Sequence, residues 1–244
     1  MLVTLVARVS PRQYMIGVYF DGIPIVTWAS LKVSQQPVVI GFDLDMTLLD
    51  TRPGIAAAYR ALTARTGVHV DADLAVSRLG PPLRTELSEW FPPESVEEAV
   101  LTYRLLYEEH AITPAVALPG ALAALAAVRA AGGRIVVITS KLGRLASLHL
   151  AHLDIPVDEV HGDVFAAEKA SVLRSVSATA YVGDHVADMQ AGVLAGVPVL
   201  GVTTGPCSAA DLQAAGASLV SPDLHAFPAF LRGVISVGRA GSGD

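Results

Sequence analysis

Residues 38–47 read Val-Val-Ile-Gly-Phe-Asp-Leu-Asp-Met-Thr, a short apolar run that ends in two aspartates and a threonine. An apolar run of this length is typical of a strand buried on both faces, as strands of a parallel sheet are. Ligands bind beyond the carboxyl ends of parallel strands, which is where the polar residues of this stretch lie. The stretch therefore predicts a fold class and the position of a site.

Strands and helices alternate after this first strand. Further strands are predicted at 134–139, 178–182 and 197–203, with a weaker one near 218–220. The predicted helices that alternate with them lie at 121–131, 169–176, 186–195 and 209–215. This alternation predicts an α/β fold with a Rossmann-like, doubly wound parallel sheet and helices on both faces.

The first two strong strands are separated by about ninety residues, far more than one crossover helix needs. Four amphipathic helices are predicted in this interval, at 53–66, 72–79, 83–90 and 95–110. We therefore predict an inserted α-helical lobe at 53–114 and an α/β core made of 37–52 and 115–232. Residues 233–244 are predicted to be a flexible tail, because the end of the chain is small and polar.

Residues 1–36 form an N-terminal extension of uncertain structure. The segment lacks the basic start and clean apolar stretch of a signal peptide. Three interpretations stay open: a genuine extension, an extra edge hairpin, or a start codon placed too far upstream, with Met15 as one internal alternative.

The composition and net charge of the chain indicate which kinds of molecule it binds. The chain is 52% hydrophobic and 16% charged, which indicates a globular protein. Its formal net charge of −6 favours neither nucleic acid nor an anionic membrane as a partner. A single cysteine, Cys207, excludes an intramolecular disulfide and favours the cytoplasm. We expect a small-molecule partner, while monomer and homodimer both remain open.

Polar residues follow the other strong strands as well. Thr139, Ser140 and Lys141 come after the second strand, and Gly183-Asp184 follows the third. Four carboxylates near two strand ends would repel one another without a cation, and oxygen ligands favour Mg²⁺. The sequence therefore predicts a magnesium site formed by Asp43, Asp45, Asp184 and Asp188.

These residues occur as four ordered motifs: Asp43-x-Asp45-x-Thr47, then Thr139, then Lys169, then Gly183-Asp184-x-x-x-Asp188. In this order they resemble the motifs of the haloacid dehalogenase superfamily, and the resemblance covers residue 38 to about residue 230. It implies that Asp43 attacks phosphorus to give an aspartyl-phosphate, while Asp45 serves as acid and then as base. Thr139 and Lys169 would bind the phosphoryl oxygens, with Lys141 as a rival for part of that role.

The resemblance also implies how the metal is held. Asp43, the Asp45 carbonyl and Asp184 would ligate Mg²⁺, with Asp188 as a further or water-mediated ligand. One departure from the family pattern is Met46, which stands where the family usually has glycine.

An acid at position 45 favours ester cleavage, because relatives that cleave carbon–halogen or carbon–phosphorus bonds lack it. The inserted helices resemble the cap of the phosphoglycolate-phosphatase and β-phosphoglucomutase branch. We therefore expect a cytoplasmic phosphatase that hydrolyses a sugar or short-acid phosphate. The substrate contacts are predicted to be Thr47, Ser140, Arg52 and Arg84, together with the turn Gly80-Pro81-Pro82. The rivals are a phosphosugar mutase and a non-catalytic regulatory protein.

Several other residues receive structural rather than functional interpretations. His149 and His152 are predicted to lie on a solvated helix face, because no third metal ligand is near them in sequence. His185 is interpreted as an exposed spacer, with a substrate contact as the alternative. Trp90 and Phe91 are interpreted as cap core or a dimer contact.

Overall fold

The computed structural model describes residues 3–10, 13–20, 23–29 and 37–240, with side chains described from 37 to 236. The chain divides into two compact units, residues 1–37 and 38–244. The first unit is an antiparallel sheet of three strands in the order β1 (Val3–Ser10), β2 (Gln13–Phe20) and β3 (Ile23–Ala29). None of these strands belongs to the main sheet, so the edge-hairpin interpretation is wrong.

The second unit holds the predicted α/β core and the helical insertion. In chain order its elements are β4 (Val39–Phe42), β5 (Leu49–Asp50), α1 (Arg52–Thr66), α2 (Ala72–Ser77), α3 (Leu83–Leu87), α4 (Val96–His110), β6 (Val116–Ala117), α5 (Ala121–Ala130), β7 (Arg134–Ile138), α6 (Gly143–His152), β8 (Glu159–His161), α7 (Ala167–Ser175), β9 (Ala180–Gly183), α8 (Val186–Ala195), β10 (Val199–Val202), α9 (Ala209–Ala214), β11 (Leu219–Ser221) and α10 (Phe227–Ala240).

The main sheet has six parallel strands in the order β11-β10-β9-β4-β7-β8. All four residues of β4 are buried. Ile40 and Phe42 pack into the hydrophobic core on one face of the sheet, whereas Val39 packs into a separate core on the other. Alternate side chains therefore serve opposite faces, and the predicted doubly wound sheet is confirmed.

Helices α1–α4 form a cap with a hydrophobic core of its own. Phe91 is buried in that core and Trp90 packs against it, as the sequence predicted for cap residues. The cap leaves and rejoins the core through the antiparallel pair β5–β6, where Leu49 lies opposite Ala117. Helix α1 carries a proline in its first turn and ends at Gly67, whose φ of 73° suits glycine.

The carboxyl-terminal helix is the main departure from prediction. Helix α10 continues to Ala240, so the predicted flexible tail at 233–244 is wrong for 233–240, and 241–244 lie outside the described residues. Phe227 and Leu231, one turn apart, are buried in the core, and the ring of Phe227 lies 5.2 Å from that of Phe42. These apolar side chains on one face of α10 pack on the core and keep the helix in place. No helix in the described ranges is long and apolar enough to cross a membrane.

Candidate active site

The loop after β4 carries Asp43 to the carboxyl edge of the sheet. The Asp43 amide donates to the Val182 carbonyl at 2.9 Å, which continues the β4–β9 ladder by one residue. The chain then turns back through Met46, whose φ is 59°. A left-handed backbone costs a non-glycine residue about 1–2 kcal/mol, which explains why glycine suits this position. Met46 adopts the conformation all the same, and its side chain is buried.

Three buried carboxylates meet at this edge. Asp43, Asp184 and Asp188 each offer an oxygen, and these oxygens lie within 4.8 Å of one another. Asp184 directly follows β9, and Asp188 lies in the first turn of α8. The Lys169 ammonium group lies 3.1 Å from Asp43 Oδ1 and 2.7 Å from Asp188 Oδ1. Three negative groups are thus countered by one close positive group among the described residues.

The pKa values of the cluster reflect this imbalance. Burial raises the pKa of Asp43 to about 7, against the opposing effect of Lys169 and with the help of Asp188 and Asp45. Burial, reinforced by the charges of Asp43 and Asp188, raises the pKa of Asp184 well above its ordinary value. Within the described part of the chain, Asp43 Oδ1 accepts no hydrogen bond of good geometry. Buried oxygen donors with uncompensated charge and an open acceptor fit a hard divalent cation such as Mg²⁺.

Asp188 is held on both of its oxygens. Oδ1 accepts hydrogen bonds from Lys169 and from the Tyr181 hydroxyl, and Oδ2 accepts one from the His185 amide. Burial alone would lower the pKa of Lys169, but Asp188 and Asp43 outweigh it and raise that pKa well above its ordinary value. Lys169 therefore remains charged, and Asp188 fixes its position.

Thr47 contacts Asp184 rather than the substrate side of the site. Its side chain is fully buried and donates to Asp184 Oδ1 at 2.7 Å, and Thr47 is not among the residues that line the cavity, so its substrate contact stays a prediction. Gly205 passes so close to Asp184 that a Cβ at this position would collide with the carboxylate. The sequence analysis missed Gly205, because its proximity arises from a distant loop.

Asp45 belongs to a second network, separate from the carboxylate cluster. Its Oδ1 accepts hydrogen bonds of 2.5 Å from both Thr51 Oγ1 and Lys141 Nζ. Burial would raise the pKa of Asp45, but Lys141 and Thr51 outweigh it and lower the pKa. Asp45 is therefore ionised in this arrangement.

The network continues from core to cap. Lys141 Nζ also donates to the Tyr107 hydroxyl at 2.5 Å, and that hydroxyl lies 2.7 Å from His149 Nε2. The predicted solvated face is wrong for His149, which is fully buried in α6 beneath the cap. Tyr107 was also missed: the spacing of Tyr103 and Tyr107 indicates a shared helix face, but not its partner.

A cavity of about 330 Å³ lies between the core and the cap. Of the predicted site residues, those that line it are Asp43, Asp45, Asp184, Ser140 and Arg84. Arg52 is not among the lining residues and pairs with Asp50 at 2.7 Å. The buried Thr139 accepts a hydrogen bond from the Lys141 amide at 3.2 Å.

The predicted turn Gly80-Pro81-Pro82 forms part of the cavity wall and touches the core. Ser140 Oγ donates to the Gly80 carbonyl at 3.0 Å. A Cβ on Gly80 would lie 2.7 Å from the ring of His185, so His185 is a packing residue beneath the turn, not an exposed spacer. The cap is thus seated on the core at this point.

Comparison with known proteins gives consistent matches. The family of haloacid dehalogenase-like hydrolases matches residues 40–192. Tyrosine-protein kinase PtkA of Mycobacterium tuberculosis is 35% identical over 133 residues, which cover 54% of this chain and 45% of that protein. The chain thus spans about half the length of this relative. "Probable phosphatase IndB" of Dickeya dadantii is 30% identical over 74% of this chain and 87% of its own length.

Solved structures share the fold. A predicted phosphoglycolate phosphatase from Haemophilus somnus superposes with a TM-score of 0.69 at 19% identity, over 81% of this chain and 99% of that one. At 19% identity this similarity shows a shared fold and nothing more.

Proposed function

Because the chain belongs to the haloacid dehalogenase-like hydrolase family, we propose that it is a Mg²⁺-dependent phosphatase acting through an aspartyl-phosphate. The observation that carries the proposal is the division of labour between two buried aspartates. Asp43 lies with Asp184, Asp188 and Lys169, while Asp45 is held apart by Lys141. A nucleophile and a proton carrier are thus placed side by side in different electrostatic environments.

Mg²⁺ would be held by Asp43, Asp184 and the Asp45 carbonyl, with Asp188 as a further or water-mediated ligand. When bound, the metal offsets the charge of the phosphoryl oxygens. Lys169 supplies a second positive charge beside Asp43, and its buried ion pairs keep it in place. Such preorganised charges stabilise the transition state of phosphoryl transfer.

The first step forms a bond between a carboxylate oxygen of Asp43 and phosphorus and breaks the ester bond, whose oxygen takes a proton from Asp45. In the second step a water oxygen attacks phosphorus, the water gives a proton to Asp45, and the bond to Asp43 breaks. Asp45 must therefore be protonated first. An arriving phosphate dianion competes for Lys141 and so raises the pKa of Asp45.

Hydrolysis of a panel of phosphate esters tests the proposal. The panel comprises p-nitrophenyl phosphate, 2-phosphoglycolate and sugar phosphates, each with Mg²⁺ or with EDTA. We expect turnover that requires Mg²⁺ and is lost in Asp43→Asn. The control is Asp154→Asn, which changes an exposed aspartate outside the site. Turnover that survives in Asp43→Asn would contradict the proposal.

Transfer of the phosphoryl group to a hydroxyl other than water is the alternative. The 35% identity to a protein named as a tyrosine kinase favours it, as does the shared chemistry of the mutase rival. Incubation with a sugar monophosphate and its bisphosphate distinguishes the two. A phosphatase releases inorganic phosphate, whereas a mutase converts the monophosphate into its positional isomer without net release of phosphate.

We infer a small phosphorylated metabolite as substrate, with neither nucleic acid nor membrane as partner, because the formal net charge is −6. The single cysteine, Cys207, supports a cytoplasmic location.

A further inference from the structure

The residues that line the cavity beside Asp45 indicate which kind of organic group the substrate carries. Under the proposed function, which this inference rests on, Asp45 protonates the leaving oxygen. The organic part of the substrate therefore lies on the Asp45 side of the cavity. Lys141 connects Asp45 to the Tyr107 hydroxyl through two contacts of 2.5 Å, so Tyr107 marks the beginning of this wall.

A row of aromatic rings extends from that point. The ring centroid of Tyr107 lies 5.7 Å from that of Tyr103, which lies 4.6 Å from that of Tyr59. All three rings are tilted against one another, are almost completely buried and line the cavity. The aliphatic residues that line the same cavity include Ile55, Val100 and Leu145. Each of these side chains is only 2–6% exposed, so together they form a narrow apolar lining on this side of the cavity.

The basic side chains described in the cavity wall are already paired with acids. Arg78 lies 2.5 Å from Glu86, Arg84 contacts Glu97, and Arg104 lies 3.3 Å from Asp163. Lys141, the remaining basic residue of the lining, is paired with Asp45.

Among the described lining residues, the four basic side chains therefore face six acidic ones: Asp43, Asp45, Glu86, Glu97, Asp163 and Asp184. A carboxylate or a second phosphate on the organic part would meet an excess of acidic groups and would have to compete with Glu86, Glu97 or Asp163 for an arginine.

We propose that the substrate is a phosphate monoester whose organic part is an uncharged ring. The narrow apolar lining packs against the ring, and the paired charges disfavour acidic organic parts such as that of phosphoglycolate. The proposed substrate is therefore not a short-acid phosphate, which was one of the two classes that the family resemblance implies.

The test compares benzyl phosphate with 2-phosphoglycolate. Both esters release an alcohol, so the ratio of their kcat/KM values reports the fit to the cavity rather than the reactivity of the ester. We expect benzyl phosphate to be favoured about ten-fold or more, as a well-matched apolar pocket allows. A wild-type ratio of one or less, with turnover that depends on Asp43, would overturn the proposal and leave the phosphatase function intact. Turnover of neither ester, with p-nitrophenyl phosphate still hydrolysed, would overturn this proposal alone. No turnover of p-nitrophenyl phosphate either would overturn both.

A matched pair of variants tests whether the pairing of Arg84 with Glu97 is what disfavours acidic substrates. Glu97→Gln removes the acid paired with Arg84, whereas Glu98→Gln removes an exposed acid of the same helical turn that does not line the cavity. Both positions are exposed, so both variants should fold. We expect Glu97→Gln to raise kcat/KM for 2-phosphoglycolate several-fold and Glu98→Gln to leave the ratio unchanged. Equal ratios in the two variants would contradict the role of the ion pair.

Discussion

At the scale of single residues, we expect the buried carboxylate of Asp184 to destabilise the protein when no metal is bound. Burial and the nearby carboxylates raise the pKa of Asp184, so its ionised form is disfavoured. An asparagine would keep an oxygen for the Thr47 hydroxyl and remove the charge. Metal binding would offset the same charge in the wild type.

We therefore expect Asp184→Asn to melt about 2–4 °C above the wild type in EDTA, the shift that about 1 kcal/mol produces in a domain of this size. In Mg²⁺ the wild type should gain stability and the variant much less. Thermal melts at pH 7.5 measure both effects, with Asp154→Asn as control. A variant that melts below the wild type in EDTA would contradict this account of the cluster.

His149 makes a pH-dependent contribution to stability. Lys141 donates a hydrogen bond to the Tyr107 oxygen, so the Tyr107 hydroxyl can donate its own hydrogen to His149 Nε2. His149 accepts this hydrogen bond only when its ring is neutral. Burial and the charge of Lys141 lower the pKa of His149 to about 4, from an ordinary value of 6.5. Below pH 6.5 the unfolded chain binds a proton that the folded protein does not, so stability falls as the pH falls towards 4.

We expect this residue to cost the wild type about 2 kcal/mol of stability between pH 7 and pH 5. His149→Gln, which can still accept from Tyr107, should lose less over the same range. Urea unfolding at the two pH values, wild type against variant, isolates His149 from the other titrating groups. Identical pH dependence in both proteins would show that His149 titrates normally.

Individual functional residues could be predicted where a motif follows a strand. Asp43, Asp184 and Lys169 follow from their order along the chain. Tyr107 and Gly205 could not, because their contacts with Lys141 and Asp184 depend on how distant segments pack. A sequence pattern shows the face of a helix or the end of a strand, but not the partner that packs against it.

At the scale of elements, helix α4 of the cap and helix α6 of the core are joined through Tyr107. Its hydroxyl bridges Lys141 and His149, and so ties the position of the cap to that of Asp45, the proposed proton carrier. Arg144 of α6 adds a hydrogen bond of 2.9 Å to Glu108 of α4.

We expect Tyr107→Phe to lower kcat several-fold and to destabilise the protein by about 1–2 kcal/mol, because His149 loses a buried hydrogen bond. Tyr103→Phe, which removes a hydroxyl one turn earlier that contacts neither Lys141 nor His149, is the control for kcat. Steady-state kinetics and urea unfolding of the two variants make the comparison. Equal kcat values in both would contradict the bridging role.

Helices with a clear start or stop signal were predictable, whereas the two-residue strands β5 and β6 were not. Helices α1 and α8 begin or end within a residue of their predicted limits, because a proline near the start of α1 and an apolar stripe mark them. Strands β5 and β6 have two residues each, too few for any period. These two strands pair because the chain enters and leaves the cap through adjacent segments.

At the scale of the whole molecule, the chemistry belongs to the second unit. The family match covers 40–192, and every residue placed in the site lies between Asp43 and Gly205. The parallel core was predictable from alternation, whereas the three-stranded sheet of the first unit was not, since three interpretations fitted its sequence equally.

We expect a chain of residues 37–244 to fold and to keep kcat for p-nitrophenyl phosphate within about two-fold of the full chain, because the two units are separate compact bodies. Circular dichroism and kinetics of the shortened chain check this. An insoluble or inactive product would show that residues 1–36 take part in folding the second unit.

The central claim is that Asp43 carries the phosphoryl group. Asp45→Asn should still be phosphorylated by p-nitrophenyl phosphate, whose leaving group departs without a proton, but should hydrolyse the intermediate slowly. Acid quenching followed by peptide mass analysis measures where the phosphoryl group is. The account predicts that it accumulates on Asp43 in Asp45→Asn and is missing in Asp43→Asn. Release of phosphate by the wild type, with no phosphoryl group on Asp43 in either protein, would contradict it.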